Sequence, residues 1–296
     1  IWRDLDTIKS NCNDYINNTV TQYEDSFHSF LEFMYTVAGD VKHPYNANKL
    51  HNFLVGMPLA DRDAEWTIHL RYVYELEGSV DKMLEWLLQS DIHKTLSDES
   101  ALLVSISVSW LLTSTTLELR NKATKALSNI LINRLHIGGE LLRKFESIND
   151  PYVYERILAA VYGATLNTVQ LNELPNLAQY IVEHIFLKEE VYPNVLVRDY
   201  ARNIVEYALY KEKIELTDPE IIRPPYNSTL PDNYPSNEEI DSYKFDWDGK
   251  GFKQIYGSQN RILSSMVTEY GRGMCSYGDF GRYTFQSALS SWKNLD

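Results

Sequence analysis

At 296 residues, 44% of them apolar and 12% aromatic, the chain can bury a large core, which argues against wholesale disorder. A formal charge of −13 argues against general nucleic-acid binding, because a phosphate backbone is repelled at long range. Cys12 and Cys275, the only cysteines, are too few for a Cys-rich zinc site or a disulfide framework, so a reducing cytoplasm is the simplest compartment.

Residues 1–38 contain an amphipathic helix, with Phe27, Phe30, Leu31, Met34 and Tyr35 forming one stripe and Gly39-Asp40 supplying the stop. A shorter helix is expected from Asn46, turning Leu50, Phe53 and Leu54 inward and closed by Pro58. Asp61 is expected to cap a helix carrying Trp66 and Leu70. Ser79 is expected to cap another, with Met83, Leu84, Leu87 and Leu88 on its apolar face. His43 and His51 are read as surface or capping residues, and none of the seven histidines has metal-ligand spacing.

From Ser97 the pattern becomes regular. Helices are expected from Ser97 to Leu111, from Leu117, over Gly139–Ser147, from Asp150-Pro151, around Leu177, Ile181 and Ile185, and from Val195 to Tyr210. The densest apolar run, ALLVSISVSWLL, is broken by serines and is too short to span a membrane. Arg120, Arg156 and Arg198 are each followed three residues later by an alanine: Ala123, Ala159 and Ala201. The steps of 36 and 42 residues between the copies are close to the period of HEAT-like helix pairs. A small inward alanine lets a neighbouring helix approach, while the arginine can reach an acidic or backbone partner in the adjoining turn. Only Asp150 supplies an acid six residues before its arginine; Ser114 and Tyr192 stand at the matching places. The expected fold is therefore all-α, a HEAT-like α-solenoid of antiparallel helix pairs interrupted by one long Pro/aromatic-rich loop.

That loop begins after Lys213. Pro219, Pro224, Pro225, Pro231 and Pro235 fall within seventeen residues, interleaved with Tyr226, Tyr234, Tyr243, Phe245 and Trp247, so partial packing on the helices is expected. Helices return near Gln259–Tyr270 and from Tyr283, joined by the glycine-rich run GRGMCSYGDFGRY. The expected division is 1–95 as an N-terminal helical segment, 96–212 as the repeats, 213–258 as the loop and 259–296 as the C-terminal helices. The start at Ile1 suggests a piece of a longer polypeptide.

Motifs for chemistry are sparse. Gly271–Gly281 lacks the Gly-Lys-Ser/Thr ending of a P-loop, and no Gly-x-Ser-x-Gly elbow occurs. Asp232 and Asp248 could hold Mg²⁺ in a nuclease, with Lys250 helping to position a water, but such sites need strands, and these residues fall in a Pro-rich loop between helices. The sequons at Asn17 and Asn227 are read as chance. Arg120, Lys122, Lys125, Arg134, Arg143 and Lys144 form a basic region in an acidic chain, either a solvated helix face or a docking patch. Lys122, Lys125, Arg134, Tyr226, Tyr234 and Trp247 are the candidate protein-contact residues; no catalytic, cofactor or metal residue is assigned.

NKLHNFLVGMPLADRDAEWT, LRNKATKALSNIL, NDPYVYERILAAVYG and GDFGRYTFQSAL together resemble segments downstream of the ATPase core in large bacterial STAND-type P-loop NTPases, several of them AVAST-like antiviral defence proteins. The resemblance runs from Asn46 to Leu289 and lies in helical packing patterns. It implies a non-catalytic sensor that recognises a foreign (phage) protein, with ATP and Mg²⁺ confined to an NTPase core elsewhere in a homo-oligomerising parent. No membrane or nucleic-acid partner is expected. A metal-dependent nuclease and a purely structural helical spacer stay open as alternatives.

Overall fold

The computed structural model describes residues 24–75, 78–89 and 95–228, together with Asn233, Ser236, Glu238 and Glu239. The chain divides into two compact units, Ile1–Thr229 and Leu230–Asp296.

The described elements, all of them in the first unit, are helical, with no strand among them. Helix α1 spans Glu24–Thr36, α2 Ala47–Val55, α3 Leu59–Arg62 and α4 Ile68–Glu75, the last two joined by a π-helical turn at Asp63–Thr67. Then come α5 (Ser79–Leu87), α6 (Asp98–Leu111), α7 (Leu117–Leu131), α8 (Leu135–Phe145) and α9 (Pro151–Asn167). Helix α10 (Leu174–Ile181) runs into a second π-turn, Val182–Phe186, and α11 (Val195–Tyr210) is followed by a short 3₁₀ turn, Pro219–Ile222.

Helix starts follow their chemistry. The side chains of Asn46, Ser97 and Asn194 accept backbone N–H bonds from the first turns of α2, α6 and α11. Pro151 opens α9 at a position where its missing N–H costs nothing. Two expected caps lie elsewhere. Pro58 precedes α3, so Asp61 sits inside its first turn, and Gly78 precedes α5, so Ser79 is already helical. Helix α8 also begins a turn earlier than the expected Gly139, at Leu135.

Most of the predicted apolar faces are inward. Phe30, Leu31, Met34 and Tyr35 are buried on α1, Leu50 and Leu54 on α2, and Leu84 and Leu87 on α5. Phe53 and Leu88 are not: they are 38% and 40% exposed, and His51 and Val80 take the inward places. His43 is buried too, its Nδ1 accepting the Tyr45 backbone N–H at 3.1 Å. The surface reading of both histidines is therefore overturned.

Helix α6 is the centre. Every residue from Leu103 to Leu111 is buried, including Ser105, Ser107 and Ser109, as expected of a helix apolar on all sides. It packs against α2, α7, α8 and α9. Around it the helices fall into two rows. In one, α2, α6, α8 and α10 touch in succession; in the other, α5, α7, α9 and α11 do. Across the rows α6 meets α7, α8 meets α9 and α10 meets α11. Helices α2 and α5 thus pack directly on α6 and α7, respectively.

Candidate functional site

The arginine repeat lies on the second row, and its partners differ in each copy. Arg120 Nη1 donates to the Ser114 carbonyl at 2.5 Å, closing its own preceding turn. Arg156 reaches the neighbouring helix, donating to Thr124 Oγ1 at 2.7 Å and Asn121 Oδ1 at 3.0 Å on α7. Arg198 donates from Nε to the Asn194 carbonyl at 3.3 Å and lies 4.9 Å from the Tyr226 ring centroid. Asp150, the acid expected for Arg156, instead lies 3.6 Å from Arg62. Ala123 and Ala201 are fully buried, as a close-packed face requires, but Ala159 is only half-buried; Ala160 takes the inward place on α9.

The predicted contact residues scatter. Lys125 is exposed on α7. Lys122 is engaged by the Tyr74 hydroxyl at 3.1 Å and by Glu118 at 3.2 Å, and both hold its ammonium charged. Arg134 is buried and cannot belong to an exposed basic patch: Nε donates to Asp98 at 2.9 Å and Nη2 to the Leu96 carbonyl at 2.6 Å. The Arg134 hydrogen bond in turn holds the Asp98 carboxyl below its ordinary range, with His136 adding to the effect. Tyr226 packs on the helices, its ring stacked 5.9 Å from Phe186 and its hydroxyl donating to the Ile222 carbonyl. Tyr234, Trp247, Asp232, Asp248, Lys250 and the glycine-rich run lie outside the described residues.

What the fold does bring together lies on the other row. Two adjoining cavities, about 520 and 590 Å³, share Leu135, His136 and Glu173 and so form one groove along α8 and α10. Both volumes fall in the range of ligand and peptide-side-chain sites. The groove floor is Leu135 and Leu177; Glu140, Glu173, Glu183 and Asp98 contribute carboxylates to its walls, against Arg134 and Arg143.

One end of the groove is an ordered polar cluster. Glu146, just past α8, accepts from the Tyr180 hydroxyl at 3.1 Å, faces His184 Nδ1 at 3.0 Å and accepts from Lys188 Nζ at 2.7 Å. Burial raises its carboxyl, but the bonds from Lys188 and His184 outweigh this and hold it below the ordinary value. The Tyr180 and His184 rings stack at 4.3 Å, and Arg143 lies 4.8 Å from the Tyr180 centroid. Burial raises the Tyr180 hydroxyl, and the neighbouring Tyr154 and Glu146 push the same way, so it stays a neutral donor. His184 belongs to the π-turn Val182–Phe186, the kind of extra-residue insertion that re-aims a side chain and is frequent at functional positions.

Sequence reasoning named Arg143 only as part of a basic run and did not single out Glu146, Tyr180 or His184. The signal it had was the i, i+4 pair Tyr180 and His184 on one helix face. Their partner Glu146 lies on another helix pair, beyond any local pattern.

Among the described residues no group of three or more His, Cys, Asp or Glu side chains could hold a metal ion, and no helix is long and apolar enough to cross a membrane. No family model, curated protein or solved structure matches the chain.

Proposed function

We propose that the chain is a non-catalytic protein-binding scaffold, a HEAT-like α-solenoid of antiparallel helix pairs with a Pro/aromatic-rich loop after it. The observation that carries this reading is the pair of helix rows, in which successive helices touch along each row and α6 meets α7, α8 meets α9 and α10 meets α11 across them, with an open groove along α8 and α10. In such arrays each pair packs chiefly on its neighbours and the function lies in an extended surface. By resemblance, the parent is a bacterial STAND-type NTPase of antiviral defence, and the partner is a phage protein. ATP and Mg²⁺ belong to its NTPase core, outside this chain. The cytoplasm is its compartment.

The groove's carboxylates favour a partner segment with basic residues, and its Arg143-on-Tyr180 stack offers a rigid aromatic contact. The test is co-precipitation of the tagged chain with a panel of phage proteins. Capture of one member, lost in the charge-reversed Glu140→Lys/Glu183→Lys variant with unchanged helicity, supports the reading. An empty panel favours the spacer reading instead.

A further inference from the structure

A separate cavity of about 750 Å³ opens between the end of α1, the start of α5 and the middle of α6. Its apolar wall is made by Met83, Trp86, Leu96 and Val104. Trp86 is 39% exposed, an unusual place for so large a ring on a helix whose other apolar face is fully covered. The close approach of α6 to the α1 end depends on Gly39, where a Cβ would stand 2.9 Å from Val104 Cγ2.

The polar side of the cleft is incomplete. Glu32 Oε1 accepts the Ser79 backbone N–H at 3.2 Å. Its Oε2 and the Ser79 hydroxyl are both shielded from solvent and have no hydrogen-bond partner among the described residues. A buried acceptor without a donor carries a desolvation cost, larger when it is charged, which a ligand's donor removes once the Glu32 side chain turns Oε2 into the cleft. Asp40 adds a second carboxylate to the rim, and Lys82 is the lining cation. The cleft therefore asks for a positively charged donor on an apolar stem.

We propose that this cleft receives an arginine side chain presented by a partner protein, its guanidinium meeting Glu32 and its plane lying against Trp86. Arginine fits better than lysine because its planar fork can bond a carboxylate and stack on an indole at once. The assignment rests on the protein-binding reading above. It uses different elements from the α8/α10 groove.

The test is NMR of the full chain with the tryptophan indoles labelled and the Trp86 signal identified by its loss in Trp86→Phe. N-acetyl-arginine N-methylamide should shift that signal. The citrulline analogue, equal in shape but neutral, should bind roughly tenfold more weakly. Glu32→Gln, which keeps an acceptor for the Ser79 N–H, should also weaken the arginine amide by roughly tenfold. An unmoved Trp86 signal at millimolar probe, equal binding of citrulline, or an unaffected Glu32→Gln variant overturns the proposal. Agmatine binding more tightly than the arginine amide would also overturn it, assigning the cleft to a free amine. Because the probes need no partner, an empty phage-protein panel leaves this result readable by itself.

Discussion

His51 shows how a single polar side chain is made to serve a core. Its Nδ1 accepts the Trp110 indole N–H at 3.2 Å, and its ring meets Phe145 edge-on at 4.8 Å. Burial first, and Lys144 second, lower its pKa from 6.5 to about 4. Protonating Nδ1 would remove the acceptor that Trp110 needs. His69, on α4, is likewise lowered to about 4 by burial and by the adjacent His28. With folded values below unfolded ones, the stability these groups support is complete above about pH 6.5 and falls as the pH drops toward 4. Urea unfolding should show a loss of about 1–2 kcal/mol per histidine between pH 7 and 4.5, and His51→Gln should remove its share of that slope.

Arg62 is the second such case: fully buried, it donates to Asn149 at 2.6 Å, lies 3.6 Å from Asp150 and sits 5.3 Å from the Trp110 ring centroid. Burial lowers its pKa and raises that of Asp150, while the pair oppose both shifts through their attraction. Arg62→Ala should cost about 3–5 kcal/mol in denaturant unfolding, since it empties a fully buried site and leaves Asp150 without its counter-charge. Neither residue was legible in the sequence. His51 and Arg62 look like surface residues by type, and what buries them comes from helices far along the chain.

At the scale of the element, the contacts between α7 and α9 show what sets helix spacing. Gly163 faces Ser128, whose hydroxyl would lie 2.8 Å from an added Cβ. Alanine is favoured over glycine in a helix interior by about 1 kcal/mol, so Gly163→Ala trades that gain against a forced change at Ser128. In a double-mutant cycle, Gly163→Ala should be more favourable by about 0.5–1 kcal/mol once Ser128→Ala has removed the conflict. Additivity would show that the hydroxyl simply turns away.

Element existence was the most readable level. Caps such as Asn46, Ser97 and Asn194, and the Asp150-Pro151 start, act within one turn, so local chemistry is enough to place them. The errors came where two neighbours competed for one inward position. Phe53 gave way to Leu50, His51 and Leu54, and Ala159 to Ala160, because helix rotation is set by the whole packed face and not by one residue. The groove was illegible for a further reason: Glu146 meets Tyr180, His184 and Lys188 only once α8 and α10 lie side by side.

At the scale of the molecule, the end of the first unit is tied down by a short return of the chain. The Val191 N–H donates to the Asn227 carbonyl at 2.8 Å, Ser228 Oγ donates to the Val191 carbonyl, and Ile222 is buried. A truncation after Thr229 keeps this return whole and serves as the reference. One after Asp218, which removes Ile222 and bares Phe186 by removing Tyr226, should be less stable than that reference by about 2–4 kcal/mol. Calorimetry of the two truncations measures the difference.

Helix α6 has a consequence for how such a molecule can come apart. Arrays of helix pairs ordinarily fray from their ends, each pair opening with some independence. Here one helix is enclosed by partners from before and after it in the chain, α2 on one hand and α7, α8 and α9 on the other. Its backbone amides can meet water only when the partners on both sides have let go. In deuterium exchange, the amides from Leu103 to Leu111 should be the slowest in the unit, opening at the free energy of global unfolding, while the ends of α11 exchange at a fraction of that cost. The enclosed helix makes α2 and the helices after α6 share one fate.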